Sequence, residues 1–118
     1  MSKFRVMVLK KNGKPVGVRA AALNGKIISI ALTDENPSNW HEAVKKGIPS
    51  LAEWLAILAN KEAVNKALKR AGGTPLEGWY WSSSEYTTSL AWGVHALYGH
   101  VDWFGKDSIN GYVRCVLA

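Results

Sequence analysis

At 118 residues the chain can bury one modest hydrophobic core but not two, and its 47% hydrophobic and 20% charged residues argue for a globular protein over a disordered one. The net charge of +6 is uneven: residues 1–70 hold thirteen Lys or Arg against five Asp or Glu (+8), and residues 71–118 hold two against four (−2). Nucleic-acid binding wants cationic and stacking residues on one surface; here the basic half and the aromatic half differ, so the basic excess reads as a solvated face and no nucleic-acid partner is expected.

The opening MSKFRVMVLKKNG has no apolar run long enough for a signal peptide, and no later run approaches the ~20 residues of a membrane span. A cytoplasmic chain without membrane insertion is expected, unless it leaves inside a larger particle. Phe4–Leu9, Val16–Leu23 and Lys26–Leu32 are short apolar or alternating runs separated by KNGKP and NG, and Asn-Gly between such runs predicts hairpins, hence a three-strand meander. The segment TDENPSN (residues 33–39) reads as a loop, with Ser38 or Asn39 capping a short helix over Trp40–Lys46 that Gly47 ends. Ser50 and Glu53 form a capping box for a helix carrying Leu51, Trp54, Leu55 and Leu58; Asn60 breaks or kinks it. Lys61–Ala71 resumes the pattern with Val64, Ala67 and Leu68 on one face, and Gly72-Gly73 closes it. Trp79–Ser83, Ala91–Leu97, His100–Trp103 and Tyr112–Leu117 then read as strands. Strands, helices, strands in that order predict a single α+β domain over 1–118, with strands and a short helix in 1–46, a helical part in 47–78 and an aromatic strand segment in 79–118.

The series Leu-x-Glu-Trp (51–54), Tyr-Trp-Ser-Ser-x-Glu-Tyr (80–86), Ala-Trp-x-Val (91–94) and Val-Arg-Cys-Val (113–116) is specific as a set. It resembles the bacterial and phage domains of C-type-lectin-like fold, among them the Lcl C-terminal and Fibrobacter-succinogenes-paralogous groups. Within these it is most similar to the variable proteins of diversity-generating retroelements, whose fold relatives include the phage major tropism determinant. The likeness covers residues 47–118 well and residues 1–46 loosely. In such systems error-prone copying at adenines turns Asn codons into almost any residue while a scaffold stays fixed. The resemblance therefore implies an α+β, C-type-lectin-like fold with two or three helices in its first two thirds. It also implies a non-enzymatic display protein that recognises a protein or cell-surface macromolecule, often as a homo-oligomer and on a phage particle.

Strand alternation divides the last third in a compatible way. In AWGVHAL, Trp92, Val94 and Ala96 share one apolar face, while Gly93, His95 and Leu97 share another with no common character. In HVDWF the same period sets Val101 and Trp103 inward and His100, Asp102 and Phe104 outward. Trp54, Trp81, Trp92, Val94, Trp103, Val113 and Val116 are thus expected in the core. The variable surface that the resemblance implies comprises Thr87, Thr88, Ser89, Leu90, Gly93, His95, Leu97, Tyr98, His100, Asp102, Phe104, Asp107, Ile109 and Gly111. From the residues alone, its apolar members could equally be core residues of irregular strands.

Catalytic signals are thin. The formylglycine-generating enzymes share the lectin-like fold and an Arg-Cys pair, and an enzyme of that type, or a degenerate one, is the alternative reading. Asn110 stands where their second cysteine would be, and Cys115, between Val113 and Val116, is expected to be buried and unactivated. Ser82, Ser83 and Ser84 precede Glu85 without a Gly-x-Ser-x-Gly elbow; the resemblance implies instead that Ser83, Glu85 and Arg114 are scaffold polars, with a charge-assisted Glu85–Arg114 pair. His41, His95 and His100 lack metal-ligand spacing, so no metal or cofactor is expected. The Glu-Pro-Asn, Gln-Pro-Asp and Trp-Asn-Asp motifs of calcium-dependent sugar binding are also missing.

Overall fold

Two Asn-Gly pairs shape the first sheet. Asn12 and Gly13 (φ 53° and 79°) and Asn24 and Gly25 (φ 51° and 77°) take the left-handed conformation that two-residue hairpin loops demand. They join β1 (Met7–Lys11), β2 (Lys14–Leu23) and β3 (Lys26–Ala31) into the expected antiparallel meander of order β1-β2-β3. The computed structural model describes residues 4–117. The first strand starts at Met7, later than the run from Phe4 suggested. A bulge between Arg19 and Ala21 lets consecutive Ala20 and Ala21 both be buried, beside Val18, Ile28 and Ile30.

The helices follow their capping chemistry. In α1 (Trp40–Lys45) the Asn39 side chain accepts the Glu42 N–H, and α2 (Leu51–Ala59) begins with the full Ser50/Glu53 capping box. Asn60 leaves helical geometry (φ −109°, ψ 22°) and its Nδ2 donates to the Ala20 carbonyl at 3.0 Å, so the break before α3 (Lys61–Arg70) is anchored to β2. Trp54 and Ile57 from α2, and Val64, Ala67 and Leu68 from α3, enter the main core with the inner residues of the first sheet and with Tyr80 and Val94.

The second sheet has the order β4-β8-β5-β6-β7, with β4 (Glu35–Ser38), β5 (Trp79–Glu85), β6 (Leu90–His95), β7 (Val101–Gly105) and β8 (Gly111–Val113). All neighbours are antiparallel except β5 and β8. Two expectations are corrected here. The TDENPSN segment holds an edge strand, β4, which tolerates Pro37 because an edge needs no donor on its outer side. The last strand stops at Val113; the chain then crosses to the first sheet, where Val116 bridges Ile30 and the Leu117 N–H donates to Ser29 O at 2.8 Å. The result is an α+β domain with three helices, all before residue 71.

The expected core is right for Trp54, Trp81, Val94 and Val113, holds in part for Trp92 and Val116, and is wrong for Trp103. Trp92 and Val116 are half-buried, while Val101 and Trp103 are 40% and 45% exposed. The period-2 assignment itself holds, since the register Trp92↔Trp103 and Val94↔Val101 puts all four on one face. That face is covered where α2 lies over β5 and β6, and β7 is the outermost strand, beyond the helix. Trp103 instead stacks on Tyr86 (5.7 Å, 11°), which also meets the edge of Trp92.

Arg114 is fully buried, and its partner is not Glu85. Its Nε donates to Asp34 Oδ1 at 2.8 Å, Nη1 to Ala31 O at 2.9 Å and Nη2 to Thr74 O at 2.7 Å, while the Tyr80 hydroxyl donates to the same carboxylate at 2.9 Å. Glu85 pairs with Lys106 at 3.3 Å. The resemblance implies a Glu85–Arg114 pair, but the acid that meets Arg114 is Asp34, eighty residues away, and only the fold brings it there.

Burial, together with the Asp34 carboxylate, pushes the Tyr80 phenol well above its ordinary value. The folded state thus resists an ionisation that the unfolded chain undergoes near pH 10. Stability is intact below that pH and should fall by up to ~1.4 kcal/mol per pH unit above it. Urea melts from pH 8 to 11 should show this loss, and Tyr80→Phe should flatten it; an unchanged alkaline slope in the variant would disprove the assignment.

Candidate variable surface

The expected variable residues lie on three loops, at Gly111 in β8, and on β6 and β7, where all but Leu90 are on the face opposite the main core. The register Trp81↔Gly93, Gly93↔Asp102, Ala91↔Phe104 and Trp79↔His95 places Trp79, Trp81, Gly93, His95, Asp102 and Phe104 on that face. Thr87, Thr88 and Ser89 are exposed on the β5–β6 loop, and Leu97, Tyr98 and His100 on the β6–β7 turn. Asp102 is exposed on β7, as are Asp107 and Ile109 in the β7–β8 loop. Four members are only partly exposed: Leu90, His95, Phe104 and Gly111.

Three positions differ in kind from the expectation. Phe104 is no free outward side chain: its ring meets Trp79 edge-on at 4.9 Å and Trp81 at 6.3 Å. Gly93 is buried because Phe104 lies over it; a Cβ there would come within 3.3 Å of the Phe104 ring and 3.1 Å of Tyr80 O. Gly111 belongs to the scaffold, since a Cβ would strike the Trp81 indole, whose Nε1 is fixed to Ser38 O at 2.8 Å. In a sequence a glycine chosen for display and one forced by a neighbouring indole look alike.

The loops are gripped mainly through their backbones. Lys106, 5% exposed, sends Nζ to Thr88 O at 2.9 Å and its N–H to Ser89 O at 2.9 Å, and its ammonium sits 4.4 Å from the Trp40 ring centroid. The Thr87 N–H donates to Leu90 O. Around the β6–β7 turn, Lys61 Nζ donates to Leu97 O at 2.8 Å, Ala96 N to Gly78 O, His95 N to His100 O and Gly99 N to His95 O. The exceptions are Thr87 Oγ1, which accepts from the Ser89 and Leu90 N–H groups, His95 Nδ1, which accepts from Tyr98 N at 3.4 Å, and Asp102 Oδ1, which accepts from Trp103 N. The role of Lys106 was missed in the sequence; its one signal was being one of only two bases after residue 70.

Between the loops the face opens into a pocket of about 170 Å³ lined by Trp79, Trp81, Gly93, Phe104, Ser108, Asn110 and Gly111, with Tyr80 behind. Beyond it Trp81, Ala91 and Val113 of the sheet are covered by Trp40, Ala43 and Ile48, a second apolar cluster. The serines of β5 serve the frame: Ser82 Oγ donates to Trp92 O at 2.7 Å, and Ser84 Oγ accepts the Leu51 N–H. Burial, reinforced by Glu35, raises the half-buried Cys115 thiol above its ordinary value, the opposite of what a nucleophile needs. Among the described residues no cluster of three or more His, Cys, Asp or Glu could hold a metal ion, and no helix is long and apolar enough to cross a membrane. No family model, no curated protein and no solved structure matches the chain.

Proposed function

We propose that the chain is a non-enzymatic binding protein of C-type-lectin-like fold whose surface between Thr87 and Ile109, diversified by a retroelement, recognises a protein or other cell-surface macromolecule. One observation carries this reading: the β5–β6 loop and the β6–β7 turn are held mostly through backbone groups, and the bonds that tie them to the frame from Lys61 and Lys106 all end on loop carbonyls. Carbonyls are present whatever residue stands at the position, so the loops keep their shape while their side chains change. Tyr98, its ring flanked by those of His95 and His100 at the β6–β7 turn, gives rigid contact area at low entropy cost, as aromatics do in antibody paratopes. Assembly as a homo-oligomer on a phage particle would add avidity to weak single sites.

Replacing His95, Leu97, Tyr98, His100 and Asp102 together by Asn should leave a protein that melts cooperatively, within about 1–2 kcal/mol of the parent, since none of these packs in the core. Thermal melting followed by circular dichroism decides; an unfolded product would sink the display reading. Adding Phe104→Asn should cost about 2–3 kcal/mol more, because that ring is half-buried against Trp79 and Trp81. The neighbouring DNA offers a second check. A near-copy of codons 87–111 rich in AAC, beside a reverse-transcriptase gene, is the arrangement expected.

A further inference from the structure

The pocket within the proposed variable surface has walls of two kinds. Trp79, Trp81 and Gly111 belong to the frame, with Trp81 only 2% exposed and hydrogen-bonded to Ser38 O. Gly93 and Phe104 belong to the expected variable set and press on one another: a Cβ at position 93 would meet the Phe104 ring at 3.3 Å and Tyr80 O at 3.1 Å, so a longer side chain there crowds the ring. No charged residue lines the pocket, and polar side chains enter only at Ser108 and Asn110.

We propose that this pocket is a preformed anchor site for one aromatic side chain of a protein ligand, and that positions 93 and 104 act as a coupled pair setting its depth. The inference rests on the display reading for its choice of a protein ligand. Size fits, because an apolar cavity of about 150 Å³ is known to take up benzene, and this one measures about 170 Å³. Chemistry fits too: indole and phenyl walls present faces and edges to a ring, and an aromatic anchor seated in a desolvated pocket is the common form of a binding hot spot. A sugar carries a hydroxyl on almost every carbon and would bury most of them against these walls with two polar side chains to receive them. The fixed indoles would give each diversified variant the same aromatic wall, while a larger residue at 93 demands a smaller one at 104.

The test uses p-cresol, the side chain of tyrosine, titrated into the ¹⁵N-labelled protein. Saturable amide shifts centred on Gly93, Asn110 and Gly111, with the Trp79 and Trp81 indole N–H signals, are expected. Phe104→Ala should deepen the pocket and favour indole over p-cresol relative to the parent. Gly93→Leu should weaken p-cresol by at least about tenfold. Should Gly93→Leu fail to fold, the double variant Gly93→Leu/Phe104→Ala should recover a cooperative melt, because the ring that the leucine would crowd is gone. No saturable shift, shifts elsewhere on the surface, an unchanged indole preference in Phe104→Ala, or tighter binding of methyl β-glucoside than of p-cresol would each overturn the proposal. The two readings fail separately: a folded multi-Asn variant with no p-cresol site removes the pocket alone, and a p-cresol site in a protein whose multi-Asn variant unfolds removes display alone.

Discussion

Arg114→Met should lower the stability of the domain by about 3–5 kcal/mol, a large share of the ~5–15 kcal/mol available to a domain of this size. The methionine roughly fills the space but withdraws three donors at once. The Ala31 and Thr74 carbonyls lose their guanidinium partners, and the Asp34 carboxylate keeps only the Tyr80 hydroxyl. An uncompensated acid at a largely buried site is the costly half of a broken ion pair. The effect also reaches beyond local packing, because Ala31 ends β3, Thr74 follows α3, Tyr80 lies in β5 and Arg114 follows β8. Arg114→Lys should recover part of the loss and no more, since a single ammonium cannot reproduce a planar fork that donates in three directions. Urea denaturation of the three proteins orders them: parent, then Lys, then Met. Met equal to parent would mean that the network is ornamental.

This network marks where sequence reading stopped. Elements governed by local chemistry were legible: both Asn-Gly turns, the Ser50/Glu53 box and the Asn39 cap all depend on residues within four positions of one another. Long-range pairings were not. Nothing near Arg114 in the chain points to Asp34, and the acid that seemed the natural partner, Glu85, is held by Lys106. β4 was hidden because Pro37 and Asn36 read as loop chemistry, and only the position at a sheet edge makes such a strand tolerable.

For the surface, alternation sorted faces correctly and burial poorly. Period 2 says which residues share a side of a sheet; whether that side is covered depends on how far the next layer extends. On β6 the helix layer covers Val94, and one strand further out Val101 and Trp103 lie beyond it. The opposite face has the converse history. It was expected to be open, yet α1 roofs one end of it over Trp81, beside Val113 of the neighbouring β8, leaving the other end to form the pocket.

That asymmetry between two tryptophans of equal standing in the sequence gives the second large effect. Trp54→Ala should cost about 3–5 kcal/mol, whereas Trp103→Ala should cost about 1 kcal/mol or less. Trp54 is fully buried in the main core, packs against Tyr80 at 5.0 Å and donates Nε1–H to the Trp81 carbonyl at 3.0 Å. Removing it leaves a cavity between α2 and β5 that neither a rigid helix nor a paired strand can close, and orphans a buried carbonyl as well. Trp103 is nearly half exposed, with only its β6 partner Trp92 and the stacked Tyr86 ring beside it rather than a covering layer, and Tyr86 can follow it by rotating over Trp92. Hydrophobicity and strand period alone would rank the two alike, so the difference tests the layer boundary directly. Denaturant midpoints of the two single variants measure it. Equal losses would mean that β7 is covered on its Trp103 face, and that the exposed edge described for this strand is wrong.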